Sequence, residues 1–85
     1  MKKRSSLDII CTILEASNGG IGKTRLQERA NLTSSQFKKY IDLLIAKKLV
    51  DASRVAGHPS YTTTELGMKY VDLYGAIKTN LYLNV

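Results

Sequence analysis

Two neighbouring helix starts in the middle of the chain constrain the fold more than any other feature of the sequence. A Thr followed three residues later by Gln occurs at residues 24–27 and again at residues 33–36. At this spacing each side chain can bind the backbone N–H of the other residue, which is the capping box of a helix start. The two patterns predict one helix that ends near Ala30 and another that ends near residues 47–48. Only a turn at residues 31–32 separates them, so the two helices must pack together.

Apolar periodicity and turn residues predict the other elements. The first helix is capped by Ser5, has Asp8 in its first turn and stops at residues 18–20, and a short extended piece follows at Ile21. After the two central helices we expect a strand over residues 49–55, a turn over residues 56–59 and a return strand over residues 60–62. A last helix, capped by Thr63 or Thr64, runs to about Leu83. The predicted order is helix, strand, helix, helix, strand, strand, helix. We therefore expect a mainly α fold with a small β-hairpin.

The composition limits the class of protein. Eighty-five residues are enough for one small domain, and the apolar stretches are too short to cross a bilayer. A single cysteine, Cys11, excludes an internal disulfide, and we expect a buried thiol in a cytoplasmic protein. Lys and Arg total 13 against 7 acidic residues, which gives a net charge of +6. This excess favours a nucleic-acid partner, although solubility explains the charge equally well.

No catalytic or metal-binding arrangement is evident in the sequence. Residues 19–24 resemble the end of a phosphate-binding P-loop, but Ser17 stands where that motif needs its first glycine. We interpret the segment as a helix stop and a helix start whose free N–H groups, with Lys23, can hold a DNA phosphate. His58 is the only histidine and lies at the predicted hairpin tip, where it is a solvated turn residue or a DNA contact. We expect no enzyme activity, cofactor, metal or small-molecule substrate.

The third helix carries the clearest candidate surface. Phe37, Ile41 and Leu44 line one face and predict the side that packs on the core. The rest of the circumference carries donors for base edges and phosphates in a DNA major groove: Ser34, Ser35, Gln36, Lys38 and Lys39. The alternative is an ordinary solvated helix face. A short preceding helix joined by a tight turn is the helix-turn-helix arrangement and favours DNA binding.

Two segments resemble the winged helix-turn-helix DNA-binding domains of archaea. Residues 43–50 are similar to the exit of the recognition helix in that family, with Lys48 where the family has glycine. Residues 61–67 are similar to the passage from wing to last helix. Residues 18–25 and 30–32 resemble the small dimeric archaeal chromatin-type proteins whose last helices form an antiparallel coiled coil. The resemblance implies a homodimer with two recognition helices facing DNA, although the last helix here is shorter than theirs.

The last helix supports dimerisation from its own residues. Leu66, Tyr70, Leu73 and Ile77 follow a four-three-four spacing, and Leu81 lies one turn further. Val71 and Tyr74 widen the stripe. The predicted dimer interface consists of Leu66, Tyr70, Leu73, Tyr74, Ile77 and Leu81, with an intramolecular core as the alternative. We therefore divide the chain into a winged helix-turn-helix domain with a basic N-terminal arm at residues 1–62 and a dimerisation helix at residues 63–85.

The predicted function is binding of double-stranded DNA by a nucleoid-associated transcription regulator or chromatin protein. The third helix enters the major groove. The predicted backbone contacts come from a mobile N-terminal arm, the start of the second helix and the wing: Lys2, Lys3, Arg4, Lys23, Thr24, Arg25, Arg54, Gly57, His58 and Ser60. The alternative function is a winged-helix protein-interaction module that does not bind DNA.

Overall fold

The computed structural model describes the backbone of residues 4–83 and the side chains of residues 4–79. The predicted element order is confirmed. The elements are α1 (Ser6–Ala16), β1 (Ile21–Gly22), α2 (Lys23–Ala30), α3 (Ser34–Ala46), β2 (Val50–Val55), β3 (His58–Thr63) and α4 (Glu65–Leu83). The strands form an antiparallel sheet in the order β1-β3-β2. We call the β2–β3 hairpin, residues 50–63, the wing.

Three of the four predicted helix caps form, at Ser5, Thr33 and Thr64. The amide of Asp8 donates to Ser5 Oγ at 3.0 Å, and the amide of Gln36 donates to Thr33 Oγ1 at 3.2 Å. Both caps are reciprocal capping boxes. The predicted cap at Thr24 is wrong, because α2 begins at Lys23 with Gly22 in the cap position. Gly22 pairs with Ser60 of β3, so the sheet holds the chain extended up to Gly22 and the helix starts directly after it.

The core lies between the first three helices and the start of β2. The buried apolar side chains are Ile13, Leu14, Leu26, Ala30, Leu32, Phe37, Ile41, Leu44, Leu49 and Val50. The Phe37 ring meets the Tyr61 ring edge-to-face with a centroid distance of 5.8 Å. The predicted inner face of α3 is therefore confirmed, and its burial fixes which residues of α3 face outward.

A sharp turn ends α3. The amide of Leu49 donates to the carbonyl of Leu44 at 2.9 Å, and the amide of Lys48 donates to the carbonyl of Ile45 at 3.0 Å. These two bonds are the Schellman motif, which requires a left-handed residue after the cap. Lys48 occupies that position with φ of 62°. Lys48 thus adopts the left-handed conformation expected of the glycine that stands at this position in the family that the sequence resembles.

The wing turns at Ala56 and Gly57, whose φ values of 53° and 80° are both positive. Such a two-residue turn matches the twist of paired strands, so pairing continues to the turn itself. His58 and Pro59 pair with Val55 and Arg54. The prediction that residues 56–59 form the turn, with the return strand starting at residue 60, is therefore wrong by two residues.

Thr63 and Thr64 fasten the start of α4 to the rest of the fold. Thr63 donates from its amide to Ser17 O at 3.0 Å and from Oγ1 to Leu14 O at 2.5 Å. Thr64 donates from its amide to Leu49 O at 3.0 Å, and its Oγ1 accepts from the Gly67 amide at 3.0 Å. Thr64 is therefore the cap of α4.

The two glycines of α4 provide a matched stability test. A Cβ on Gly67 would collide with the carbonyl oxygen of Leu49 and the methyl group of Thr63, whereas a Cβ on Gly75 meets no atom within 4 Å. We expect Gly67→Ala to lower the free energy of unfolding by about 1–3 kcal/mol through overpacking. Gly75→Ala should raise it by about 0.5–1 kcal/mol through helix propensity. Urea denaturation measures both changes, and equal effects of the two substitutions would contradict this account of the junction.

Candidate nucleic-acid interface

The outward face of α3 is a continuous exposed stripe. Ser35, Lys39, Asp42 and Ala46 are spaced by four, three and four residues, which places them on one side of a helix. All four are exposed, and they lie opposite the buried inner face. We call these four residues the outer stripe. It runs the length of α3, so the helix can approach a partner along its whole side.

Two of the predicted α3 contacts also stabilise the turn between α2 and α3. Gln36 Oε1 accepts a hydrogen bond from the Thr33 amide at 3.1 Å. Ser34 Oγ accepts from Gln27 Nε2 at 3.2 Å, and the same nitrogen is 3.2 Å from the carbonyl oxygen of Leu32. Ser34 and Gln36 are both exposed. They therefore lie on the surface, but part of their hydrogen-bonding capacity is used within the motif.

The two predicted lysines of α3 differ in their surroundings. Lys38 Nζ lies 2.8 Å from Asp42 Oδ2, one turn further along the helix. The hydrogen bond to the Asp42 carboxylate and the attraction of its charge raise the pKa of Lys38. Lys39, on the outer stripe, has no ion pair within residues 4–79. Sequence reasoning missed the ion pair between Lys38 and Asp42, although a spacing of four residues is a recognisable signal for such a pair.

The start of α2 and the wing enclose an open cleft of about 520 Å³. Its lining includes the glycine-rich segment 19–22, Arg25, His58 and Ser60. The structure therefore brings together three residues that the sequence analysis assigned to separate elements. Lys23 and Thr24 are also exposed in the first turn of α2, which contains no acidic residue. The positive end of the α2 dipole and its two cations, Lys23 and Arg25, make this region suited to an anion.

The wing residues have different local roles. Arg54 Nη1 donates to the carbonyl of Gly57 at 2.6 Å, which closes the wing tip. Ser60 is half-buried, and its hydroxyl donates to the carbonyl of Ile21 at 3.3 Å, joining β3 to β1. His58 is exposed beside the turn. Val55 is 64% exposed at the wing tip, and the sequence analysis did not consider it.

Arg4 belongs to the folded domain. Its guanidinium donates to the carbonyl of Ala30 at 2.6 Å and to the carbonyl of Asn31 at 3.1 Å. The last carbonyls of a helix lack partners within the helix and carry its negative dipole end, so they attract a cation. The expectation that Arg4 forms part of a mobile arm is therefore wrong. Lys2 and Lys3 lie outside the described residues.

Four of the predicted interface residues on α4 form an exposed apolar stripe. Leu66, Tyr70, Leu73 and Ile77 are 43%, 52%, 61% and 57% exposed. We call these four residues the α4 stripe. Leu81, which the spacing predicts next, lies outside the described side chains.

Tyr74 does not belong to the α4 stripe. It is half-buried, and its Oη donates to Asp8 Oδ1 of α1 at 2.5 Å. This hydrogen bond, followed by those from Ser5, lowers the pKa of Asp8, while the bond to Asp8 raises the pKa of Tyr74. Tyr74 therefore lies on the side of α4 that faces α1, and its place at the dimer interface stays a prediction.

The first three helices and the three-stranded sheet with its β2–β3 wing define the winged helix-turn-helix class. A family model described as winged helix-turn-helix matches residues 3–81. The chain belongs to this family, and the predicted resemblance to archaeal winged helix-turn-helix proteins is confirmed.

One relative and two solved structures illustrate the similarity. An uncharacterised protein of Methanocaldococcus jannaschii is 38% identical over 74 residues, which cover 85% of this chain and 72% of that protein. Sso10a-2, a DNA-binding protein from Sulfolobus solfataricus, matches with a TM-score of 0.77 at 24% identity, over 95% of this chain and 88% of that one. F93 from STIV, a winged-helix DNA-binding protein, matches with a TM-score of 0.69 at 22% identity, over 89% of this chain and 92% of that one.

The described part of the chain shows neither a metal-binding cluster nor a membrane-spanning helix. Within it, no three His, Cys, Asp or Glu residues come together as a metal site would require. None of the helices described here has the length and apolar character needed to cross a membrane.

The cap that Arg4 places on α2 can be tested by substitution. We expect Arg4→Ala to lower the free energy of unfolding by about 1 kcal/mol, because two charge-assisted hydrogen bonds to helix carbonyls are lost. Arg29→Ala is the control, since it removes the same charge from an exposed position in the last turn of α2. Its effect should be only about 0.3 kcal/mol. Thermal unfolding measures both, and equal effects would show that charge alone explains the role of Arg4.

Proposed function

We propose that the protein binds duplex DNA as a homodimer and acts as a transcription regulator or a chromatin-associated protein. The observation that carries this proposal is the outer stripe, which is exposed along the whole of α3. In the helix-turn-helix motif formed by α2 and α3, α3 is the helix in the position that reads DNA. The major groove of B-DNA is about 12 Å wide and admits one helix. Sso10a-2 and F93 from STIV, which share this fold, are both described as DNA-binding proteins. We expect the protein to be found with the cell's DNA.

The cleft between α2 and the wing is the proposed contact with the DNA backbone. Arg25 and His58 line it, and Lys23 is exposed in the same first turn of α2 as Arg25. Backbone contacts set the register of a protein on the duplex, and they depend on cations and free N–H groups more than on base identity. The net charge of +6 provides the long-range attraction for such contacts. In this arrangement α3 lies in the groove while the α2 start and the wing hold the strand beside it.

The α4 stripe is the proposed dimer interface. Four large apolar side chains at coiled-coil spacing stay exposed on a single chain, and a second α4 would bury them. Residues 63–85 would then form the dimerisation element, with Leu81 extending the stripe. A symmetric dimer presents two copies of α3 to the same duplex. Because the two copies are linked, their separate weak contacts combine into a higher affinity.

A protein-interaction module remains the second candidate function. Leu43 is 44% exposed on α3 beside the outer stripe, and the Lys38–Asp42 pair makes this part of the helix less positive than the sequence suggests. Both features suit a protein partner. Electrophoretic mobility shift at moderate salt separates the two functions, because a protein-only module would not retard duplex DNA.

The electrostatic mechanism predicts the salt dependence of DNA binding. If each monomer neutralises about five phosphates, log K should fall with log salt at a slope of about −4 to −5 per monomer. Lys39→Ala should weaken binding to all sequences and reduce this slope by about 1. Lys38→Ala should have a smaller effect, because Lys38 must first leave Asp42. Fluorescence anisotropy with a labelled duplex over a series of salt concentrations measures all three proteins.

Two results would contradict this mechanism. A slope near zero for the wild-type protein would exclude phosphate neutralisation as the source of affinity. Unchanged affinity for both lysine variants, with far-UV circular dichroism showing an intact fold, would exclude α3 as the helix that enters the groove.

Dimerisation through α4 predicts a mass change for a single substitution. Leu73→Glu places a charge at the centre of the α4 stripe. Burying this unpaired charge in the interface costs about 3 kcal/mol or more of association free energy for each copy, so the dimer should dissociate. Thr79→Glu adds the same charge on the opposite side of α4, where it is exposed, and should leave the dimer intact. Sedimentation velocity should give a wild-type mass of twice 9.4 kDa. A monomeric wild-type protein, or equal behaviour of the two variants, would refute the interface.

A further inference from the structure

Asp42 places a carboxylate in the middle of the surface that is proposed to enter DNA. It belongs to the outer stripe, between Lys39 and Ala46, and its side chain is 57% exposed. Its one close partner in the described structure is the Lys38 ammonium at 2.8 Å. No contact with the core explains the presence of Asp42.

A carboxylate on a groove-facing helix opposes binding that depends on charge alone. Phosphates line both sides of the major groove, so Asp42 is repelled by every sequence to the same degree. It also neutralises part of the charge of Lys38, one of the two lysines within α3. A protein that only coats DNA would bind more tightly without Asp42. Asp42 can therefore favour DNA binding only where a base edge offers it a hydrogen-bond donor.

We propose that Asp42 determines sequence specificity by accepting a hydrogen bond from the exocyclic amino group of a cytosine in the major groove. Cytosine presents its N4 amino group there, and a carboxylate is the side chain that accepts from it. The donor offsets the loss of water around the carboxylate, and sequences without a donor at this position leave the charge desolvated and unpaired. This inference rests on the proposed DNA binding and adds the base that α3 reads.

Lys38 serves as the counter-ion of Asp42 when no DNA is bound. The pair is exposed and spans one helix turn, which is among the weakest ionic arrangements in proteins. It therefore breaks readily, and the long Lys38 side chain can then turn to a phosphate at the groove edge. At a site with the matching base, Lys38 binds a phosphate and Asp42 accepts a hydrogen bond from the cytosine amino group, so both side chains replace their ion pair with a DNA contact. At another site Lys38 binds a phosphate while Asp42 has no donor.

The experiment compares selected DNA sites for three proteins. Wild type, Asp42→Asn and Asp72→Asn each select duplexes from a randomised library, and affinities are then measured on the selected and on scrambled duplexes at fixed salt. Asp42→Asn removes the charge but keeps the size of the side chain. Asp72→Asn changes the net charge equally on α4, at an exposed position far from the outer stripe in sequence. Circular dichroism checks that both variants fold as wild type does.

The proposal predicts a change of one base pair. Wild type should require a C·G pair at one position of each half-site, and Asp42→Asn should prefer A·T there, because an Asn amide matches the adenine edge. Affinity of Asp42→Asn for scrambled duplex should rise by about fivefold or more, and its preference for the wild-type site should fall by at least the same factor. Asp72→Asn should select the wild-type site.

Two outcomes would overturn this inference and leave the proposed function intact. One is salt-dependent DNA binding by wild type with no base preference at any position. The other is an identical selected site for wild type and Asp42→Asn. Failure of wild type to bind any duplex is a different result, because it would overturn the proposed DNA binding and this inference together.

Discussion

Burial of the inner face of α3 is the constraint on which the rest of the structure depends. Phe37, Ile41 and Leu44 are almost completely buried, and the edge-to-face contact of Phe37 with Tyr61 joins α3 to the sheet. Because helix geometry sets which residues lie opposite the buried ones, this burial also determines that the outer stripe faces away from the core. The Schellman turn at Lys48 then sends the chain directly into β2. The position of the wing beside α3 follows from that turn.

Charge is distributed unevenly between the elements that the fold brings together. The net charge is +6, yet α3 has an ion pair and one further lysine along its exposed side. Other exposed cations, Lys23 and Arg25, lie at the start of α2, and Arg25 lines the open cleft beside the wing together with His58. This arrangement separates two tasks of a DNA-binding protein. The cleft suits contacts with phosphates, which are alike in every sequence, and α3 suits contacts with bases, which differ.

Much of the fold could be predicted because its determinants are local. The caps at Ser5 and Thr33 are contacts between residues three positions apart, and they form as predicted. The cap at Thr24 was predicted by the same rule and is wrong, since pairing of Gly22 with a strand 38 residues later fixes where α2 begins. In the candidate site, the exposure of the α3 residues was predictable from periodicity. The ion pair of Lys38 was within reach of the same reasoning and was missed.

The sequence by itself determined the helices, their inner faces and the winged helix-turn-helix order, because hydrophobic spacing and capping act within a few residues of each other. Only the tertiary structure decided the roles of residues whose partners are distant in the chain. Arg4 caps a helix 26 residues away, and Tyr74 binds an Asp8 that lies 66 residues before it. Both had been assigned to surfaces from their local patterns. Such contacts depend on how the elements pack, and a local pattern carries no information about which distant polar group will need a partner.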